Sequence, residues 1–116
     1  MCGRLGSVTR IASLPEPPYT AVIFSNIRTD GDNGYGVMAM KMVELASRQP
    51  GYLGYESTGD GGLAITVSYW VDDAAAQAWK QVHEHAVAQQ RGREAWYADY
   101  QVRVATVNRS YGPNGH

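Results

Sequence analysis

The sequence predicts an α+β domain in which two helices cover one face of a four-stranded antiparallel sheet. Three observations carry this. Four stretches show the two-residue alternation of strands, two show helical periodicity, and the helices follow the first and third strands.

The first strand is residues 19 to 28, YTAVIFSNIR, β-branched and aromatic without a breaker. Both alternating sets are apolar: Tyr19, Ala21, Ile23 and Ile27 on one side, Val22 and Phe24 on the other. Asn26 interrupts the second row with an amide. TDGDNGYG, residues 29 to 36, is a turn cluster. Its glycine spacing matches neither the dinucleotide fingerprint nor a P-loop, so no phosphate cradle is expected. The helix after it runs from about Tyr35 to Arg48, with Tyr35, Met38, Met42 and Leu45 on one face.

Gln49-Pro50-Gly51 ends that helix, because proline cannot continue it and glycine accepts the positive φ of a C-terminal turn. YLGYEST, 52 to 58, is the second strand, and GDGG, 59 to 62, reverses the chain into the third, LAITVSYW, 63 to 70. At Asp72, a candidate N-cap, the period changes. Ala75, Trp79, Val82, His83, Ala86 and Gln90 then share one face at about 100° per residue, and the helix is expected to break near Gly92. In the last segment Tyr100, Val102 and Val104 alternate with Gln101, Arg103 and Ala105, a fourth strand.

Strand-helix-strand-strand-helix-strand is the ferredoxin-like plait. Residues 1 to 18, ending in LPEPP, read as an N-terminal arm, 19 to 111 as the domain and 112 to 116 as a tail. With apolar residues in both alternating sets of strands one, three and four, the face without helices needs a cover. A second subunit's sheet supplies it most simply, so a homodimer is expected.

Composition narrows the function. Lys plus Arg is 10 against 11 Asp plus Glu, so the chain has no basic field for nucleic acid. Cys2 is the single cysteine, which excludes an internal disulfide or thiolate cluster and fits a cytoplasmic home. No apolar run approaches the roughly 18 residues of a membrane span. His83 and His85, two apart on a helix, point about 200° from each other and cannot chelate one ion, so no metal is expected. No nucleophile-elbow sequence supports a serine hydrolase.

PGYLGYES with its glycine turn, LAITVSYWVDDAAAQAWKQVHEHAVAQQ and WYADYQVRVATVNRSY together resemble the antibiotic biosynthesis monooxygenase domain family, across roughly residues 19 to 111. The resemblance implies a dimeric α+β barrel with a pocket in each subunit between sheet and helices. The family's activities include cofactor-independent oxygenation of polycyclic aromatics and haem degradation, so shared fold leaves the chemistry open. In the haem-degrading branch the working set is an asparagine at the end of the first strand, a tryptophan on the second helix and a histidine about ten residues beyond it. Asn26 and Trp79 match the first two, but Gln89 stands where the histidine is needed.

The cofactor-free reading ranks first. A hydroquinone- or anthrone-like substrate, once deprotonated, is electron-rich enough to reduce oxygen itself. Asn26 would donate to the developing oxyanion, Trp79 would pack on the ring, and His83 would be the general base. Phe24, Met38, Met42 and Tyr69 would wall the pocket. Haem binding through His83, and a barrel that binds a hydrophobic metabolite without catalysis, are the alternatives.

Overall fold

A computed structural model describes residues 10–31, 34–59, 61–89 and 96–113. The elements are β1 (Tyr19–Arg28), α1 (Tyr35–Ser47), β2 (Tyr52–Thr58), β3 (Leu63–Trp70), α2 (Asp73–Gln89) and β4 (Tyr97–Val107). The strands form one antiparallel sheet in the order β2-β3-β1-β4, which is the expected plait. The position of Gly92, where the second helix was expected to break, lies outside the described residues.

β4 begins three residues before the alternation in the sequence becomes clear. Ile27 pairs with Asp99 but Arg28 pairs with Tyr97, so Ala98 is an extra residue on β4. Such a bulge breaks the period of two and hides the strand's first turn of sequence from pattern reading.

Register settles which face meets the helices. Thr20 pairs with Trp70, Val22 with Ser68 and Phe24 with Thr66, and paired residues share a face. Val22 and Trp70 pack with Ala46 and Leu45 of α1 and Ala76, Trp79 and Val82 of α2. The even-numbered rows of β1 and β3 therefore look at the helices. Trp70 is fully buried, stacked on Trp79 at 5.7 Å between centroids and meeting Tyr52 edge-on at 5.6 Å. Its indole N–H donates to Ser68 Oγ at 2.9 Å, so the core carries no unmet donor there.

Two local devices seat α2. Asp72 Oδ1 accepts from the Ala75 backbone N–H at 2.9 Å, the N-cap read from the sequence. Gly51 takes φ 85° at the end of α1, and a Cβ there would lie 2.7 Å from the Ala75 Cβ and 2.9 Å from a Val71 methyl. Only glycine allows both the left-handed turn and this close approach.

On the opposite face the arm meets the sheet. The Ala12 backbone N–H donates to Glu56 Oε2 at 3.0 Å, and the Tyr69 hydroxyl donates to Glu56 Oε1 at 2.7 Å. One carboxylate thus ties the described part of the arm to β2 and β3.

Candidate functional site

Between the sheet and the two helices lies a cavity of about 350 Å³. Its existence follows from side-chain size. Below the helices β3 presents Thr66 and Ser68, and β2 presents Ser57, all small, so α1 and α2 cannot close down onto the sheet. Ser57 and Thr66 hydrogen-bond to each other at 2.7 Å, which uses one of their two hydroxyl protons. A wider open groove of about 510 Å³ runs on the other face, between Arg10 and Ile11 of the arm and Glu56, Ile65 and Val67. It is a surface seam whose carboxylate is already engaged by the arm and by Tyr69.

The expected wall residues divide. Phe24, Met38 and Met42 line the cavity, as do Trp79 and His83. Tyr69 does not. It pairs with Ala21 on the face away from the helices, stands edge-on to Tyr19 at 5.7 Å and bonds Glu56. Burial first, and then the hydrogen bond to Glu56, push its hydroxyl pKa up, so it holds its proton in a structural contact. The larger row of β3, which carries Tyr69, faces the wrong way to wall this pocket. His85 is exposed and outside the cavity wall, as helical phase requires. The side chain of Gln89 lies outside the described residues.

Trp79 is 8% exposed and stacked on Trp70, so it is both core and wall. One turn further, His83 packs 5.6 Å from the Trp79 ring and 5.8 Å from Phe24, which it meets edge-on. Burial lowers its pKa below the usual histidine value, and nearby Glu84 opposes only part of that. A neutral imidazole against an apolar cavity is a proton acceptor.

Asn26 sits in the same helix-facing row as Phe24, paired with Ala64 on β3 and Tyr100 on β4. It is 3% exposed, and among the described residues its Oδ1 has no hydrogen-bond partner. It lies beside the cavity wall rather than in it. The free atom is an acceptor, whereas the sequence reading expected a donor.

Sequence reasoning missed the aromatic end of the pocket. Tyr97 and Tyr100 lie 5.3 and 5.7 Å from Phe24, and Tyr35 meets both Trp96 and Tyr97 edge-on at 5.8 and 5.9 Å. The Arg28 guanidinium stacks 3.5 Å from the Tyr35 ring centre, and its Nε–H donates to the Trp96 carbonyl at 3.1 Å. Burial, and a hydrogen bond with Tyr35, raise the Tyr97 pKa. The run WYADY was the available signal, but the bulge put Tyr97 and Tyr100 on one face against simple alternation.

Among the described residues this wall is poorly matched to haem. His83 is the one described histidine on it, half-buried and in contact with the Phe24 and Trp79 rings. At about 350 Å³ the space sits at the lower end of the ligand-pocket range of roughly 300–1,000 Å³. A tetrapyrrole with its propionates needs a larger slot and cationic partners. Among the described residues the charged groups on the wall are Lys80 and Glu84, of opposite sign and one turn apart. Among the described residues no cluster of three or more His, Cys, Asp or Glu side chains is arranged to hold a metal ion.

Comparison with known proteins agrees with this architecture. The profile of the family described as antibiotic biosynthesis monooxygenase matches residues 18–91. The chain is 49% identical over 100 residues to the uncharacterized protein YqjZ of Bacillus subtilis, covering 85% of this chain and 88% of that one. It is 32% identical over 60 residues to the jasmonate monooxygenase ABM of Pyricularia oryzae, a match spanning 52% of this chain but only 28% of that protein. The fold is similar to SnoaB, a cofactor-independent oxygenase from Streptomyces nogalater, with TM-score 0.66 and 9% identity over 81% of this chain and 97% of that one. At that identity the likeness speaks for the fold alone. The chain belongs to the antibiotic biosynthesis monooxygenase family.

Proposed function

We propose that the chain is a cofactor-independent monooxygenase that oxidises a flat hydroquinone- or anthrone-like aromatic in the cavity between sheet and helices. The observation that carries this is His83: an imidazole kept neutral by burial, on the wall of an apolar cavity and flanked by Trp79 and Phe24. Aromatic and methionine side chains suit a planar apolar ligand, because sulfur and ring edges adapt to its faces.

In this reading His83 takes a proton from the C–H that a carbonyl activates through conjugation, across the central ring in an anthrone, and leaves an enolate. The enolate gives one electron to O2, and the resulting radical pair combines to form a C–O bond. The imidazolium returns its proton to the peroxide. Cleavage of the O–O bond with loss of the second C–H proton releases water and leaves a new carbonyl, so one oxygen atom enters the product and the other becomes water. A substrate hydroxyl that reaches past Phe24, the wall residue next in the same row, donates to Asn26 Oδ1. A buried acceptor without a partner costs about 1–3 kcal/mol, which such a hydroxyl relieves. Trp79 supports the ring plane.

The test is oxygen uptake by the chelator-treated protein with a panel of anthrones and hydroquinones. Uptake is expected with at least one, and Asn26→Ala should weaken it by roughly five- to tenfold, as the loss of one hydrogen bond predicts. No uptake across the panel favours a non-catalytic binding protein.

The working unit in this proposal is a cytoplasmic homodimer joined through the face that carries Ile23, Ile65 and Val67. Leu63 and Ile27 on that face are 59% and 47% exposed, more apolar surface than the arm covers. Among the described residues no helix is long and apolar enough to cross a membrane. Sedimentation equilibrium should give twice the 12.7 kDa chain mass. A mass of one chain at micromolar concentration contradicts the dimer.

A further inference from the structure

The aromatic end of the cavity is built to do more than fill space. Tyr35 opens α1, Tyr97 opens β4, and both line the cavity. Arg28, the last residue of β1, holds the pair in place. Its guanidinium is fixed by two carbonyl acceptors, Trp96 O at 3.1 Å and Gly31 O at 3.2 Å, and lies over the Tyr35 ring with Cζ 3.5 Å from the centroid. Trp96, itself buried, meets the same ring edge-on. A phenol ring clamped between a cation and an indole has little freedom, so its hydroxyl has a set position.

The two hydroxyls carry two protons, and their mutual hydrogen bond uses one. With Tyr97 donating and Tyr35 accepting, the Tyr35 proton is left for a ligand oxygen. A hydroxyl that accepts one hydrogen bond donates a stronger one, because the two polarise each other in an apolar surrounding. Phe24 and Val102 are the apolar part of this end, and Tyr100 carries its other phenol.

We propose that Tyr35 is the hydrogen-bond donor that recognises a carbonyl or phenolic oxygen on the ligand, with Tyr97 and Arg28 as its positioning residues, so that the cavity selects oxygenated rings over hydrocarbons of the same shape. This rests on the oxygenase reading for its chemical consequence: a carbonyl oxygen held by Tyr35 becomes the enolate oxygen when the C–H conjugated with it is deprotonated, and the same bond strengthens as charge develops. Ligand selection itself needs no turnover.

A matched pair of ligands tests it. Fluorenone and fluorene differ by the carbonyl oxygen, and anaerobic titration calorimetry measures their binding apart from any reaction. The intact protein should bind fluorenone more tightly. Tyr35→Phe, which keeps the ring under Arg28, should weaken fluorenone roughly five- to tenfold and leave fluorene unchanged. Tyr97→Phe should weaken fluorenone by a smaller factor, about two- to threefold, because it removes only the polarisation. Equal losses for both ligands would reveal a structural role and overturn the proposal, as would no loss for either or no binding of either by the intact protein. Selective binding without oxygen uptake on the substrate panel would leave Tyr35 in its role and reject the oxygenase reading.

Discussion

Replacing Trp70 with alanine is expected to remove about 3–5 kcal/mol of folding stability, the range for deleting a large buried aromatic. That is a large part of the roughly 5–15 kcal/mol a domain of this size possesses. The magnitude follows from position. Trp70 closes β3 under the start of α2, is fully buried, stacks on Trp79, meets Tyr52 edge-on and spends its N–H on Ser68. Alanine leaves a cavity that the sheet cannot collapse to fill, and it leaves the Ser68 hydroxyl without its donor. Trp70→Phe separates the two contributions, since it keeps most of the apolar volume and loses the hydrogen bond. It should cost about 1–3 kcal/mol by the same reasoning. Urea unfolding followed by far-UV circular dichroism measures both. A loss below about 1 kcal/mol for Trp70→Ala would contradict the packing described here.

His83→Gln is the second large effect, and it falls on activity. Removing a positioned general base typically costs about 10²- to 10⁴-fold in rate, and glutamine keeps the size of the side chain while abolishing the proton acceptor. The pH profile carries the sign. Burial lowers the His83 pKa, so the imidazole stays neutral below the pH at which an exposed histidine protonates. Activity should therefore hold as pH falls through about 6.5, the unperturbed value, and decline only below it, as the imidazole takes up a proton. Stability follows the same direction. The unfolded chain binds this proton at a pH where the folded chain does not, so His83 costs no stability above about 6.5 and destabilises progressively as pH falls from there to its lowered pKa. His83→Gln should flatten that part of the stability curve. An inflection in activity above 6.5, or a profile unchanged in the variant, would argue against His83 as the base.

The fold was legible because period and order agree along the chain. Five of the six element boundaries at the strand and helix starts follow directly from alternation, glycine turns and the Asp72 cap. Helical phase also separated His83 from His85 correctly. Strand parity was harder. β3 has apolar residues in both rows, and its bulkier row, Leu63, Ile65, Val67 and Tyr69, invites assignment to a pocket. The structure turns that row away from the helices and gives them Ala64, Thr66, Ser68 and Trp70. The cavity exists over the small residues, so hydrophobicity alone pointed Tyr69 to the wrong side. The bulge at Ile27 and Arg28 hid the rest: it brings Tyr97 and Tyr100 onto one face and sets Arg28 beside Tyr35, and a bulge leaves little trace in a single sequence. Asn26 stands in the row that faces the helices, the condition its expected role needed, but which of its atoms lacks a partner depends on neighbours far apart in the chain.

The most direct test of the central claim is turnover of an anthrone under ¹⁸O2 by chelator-treated protein, with the product analysed by mass spectrometry. One labelled oxygen atom in the product, at one O2 consumed per substrate and without added haem or metal, is the predicted result. Turnover that appears only when haem or metal is added, or a product oxygen drawn from water, would contradict it.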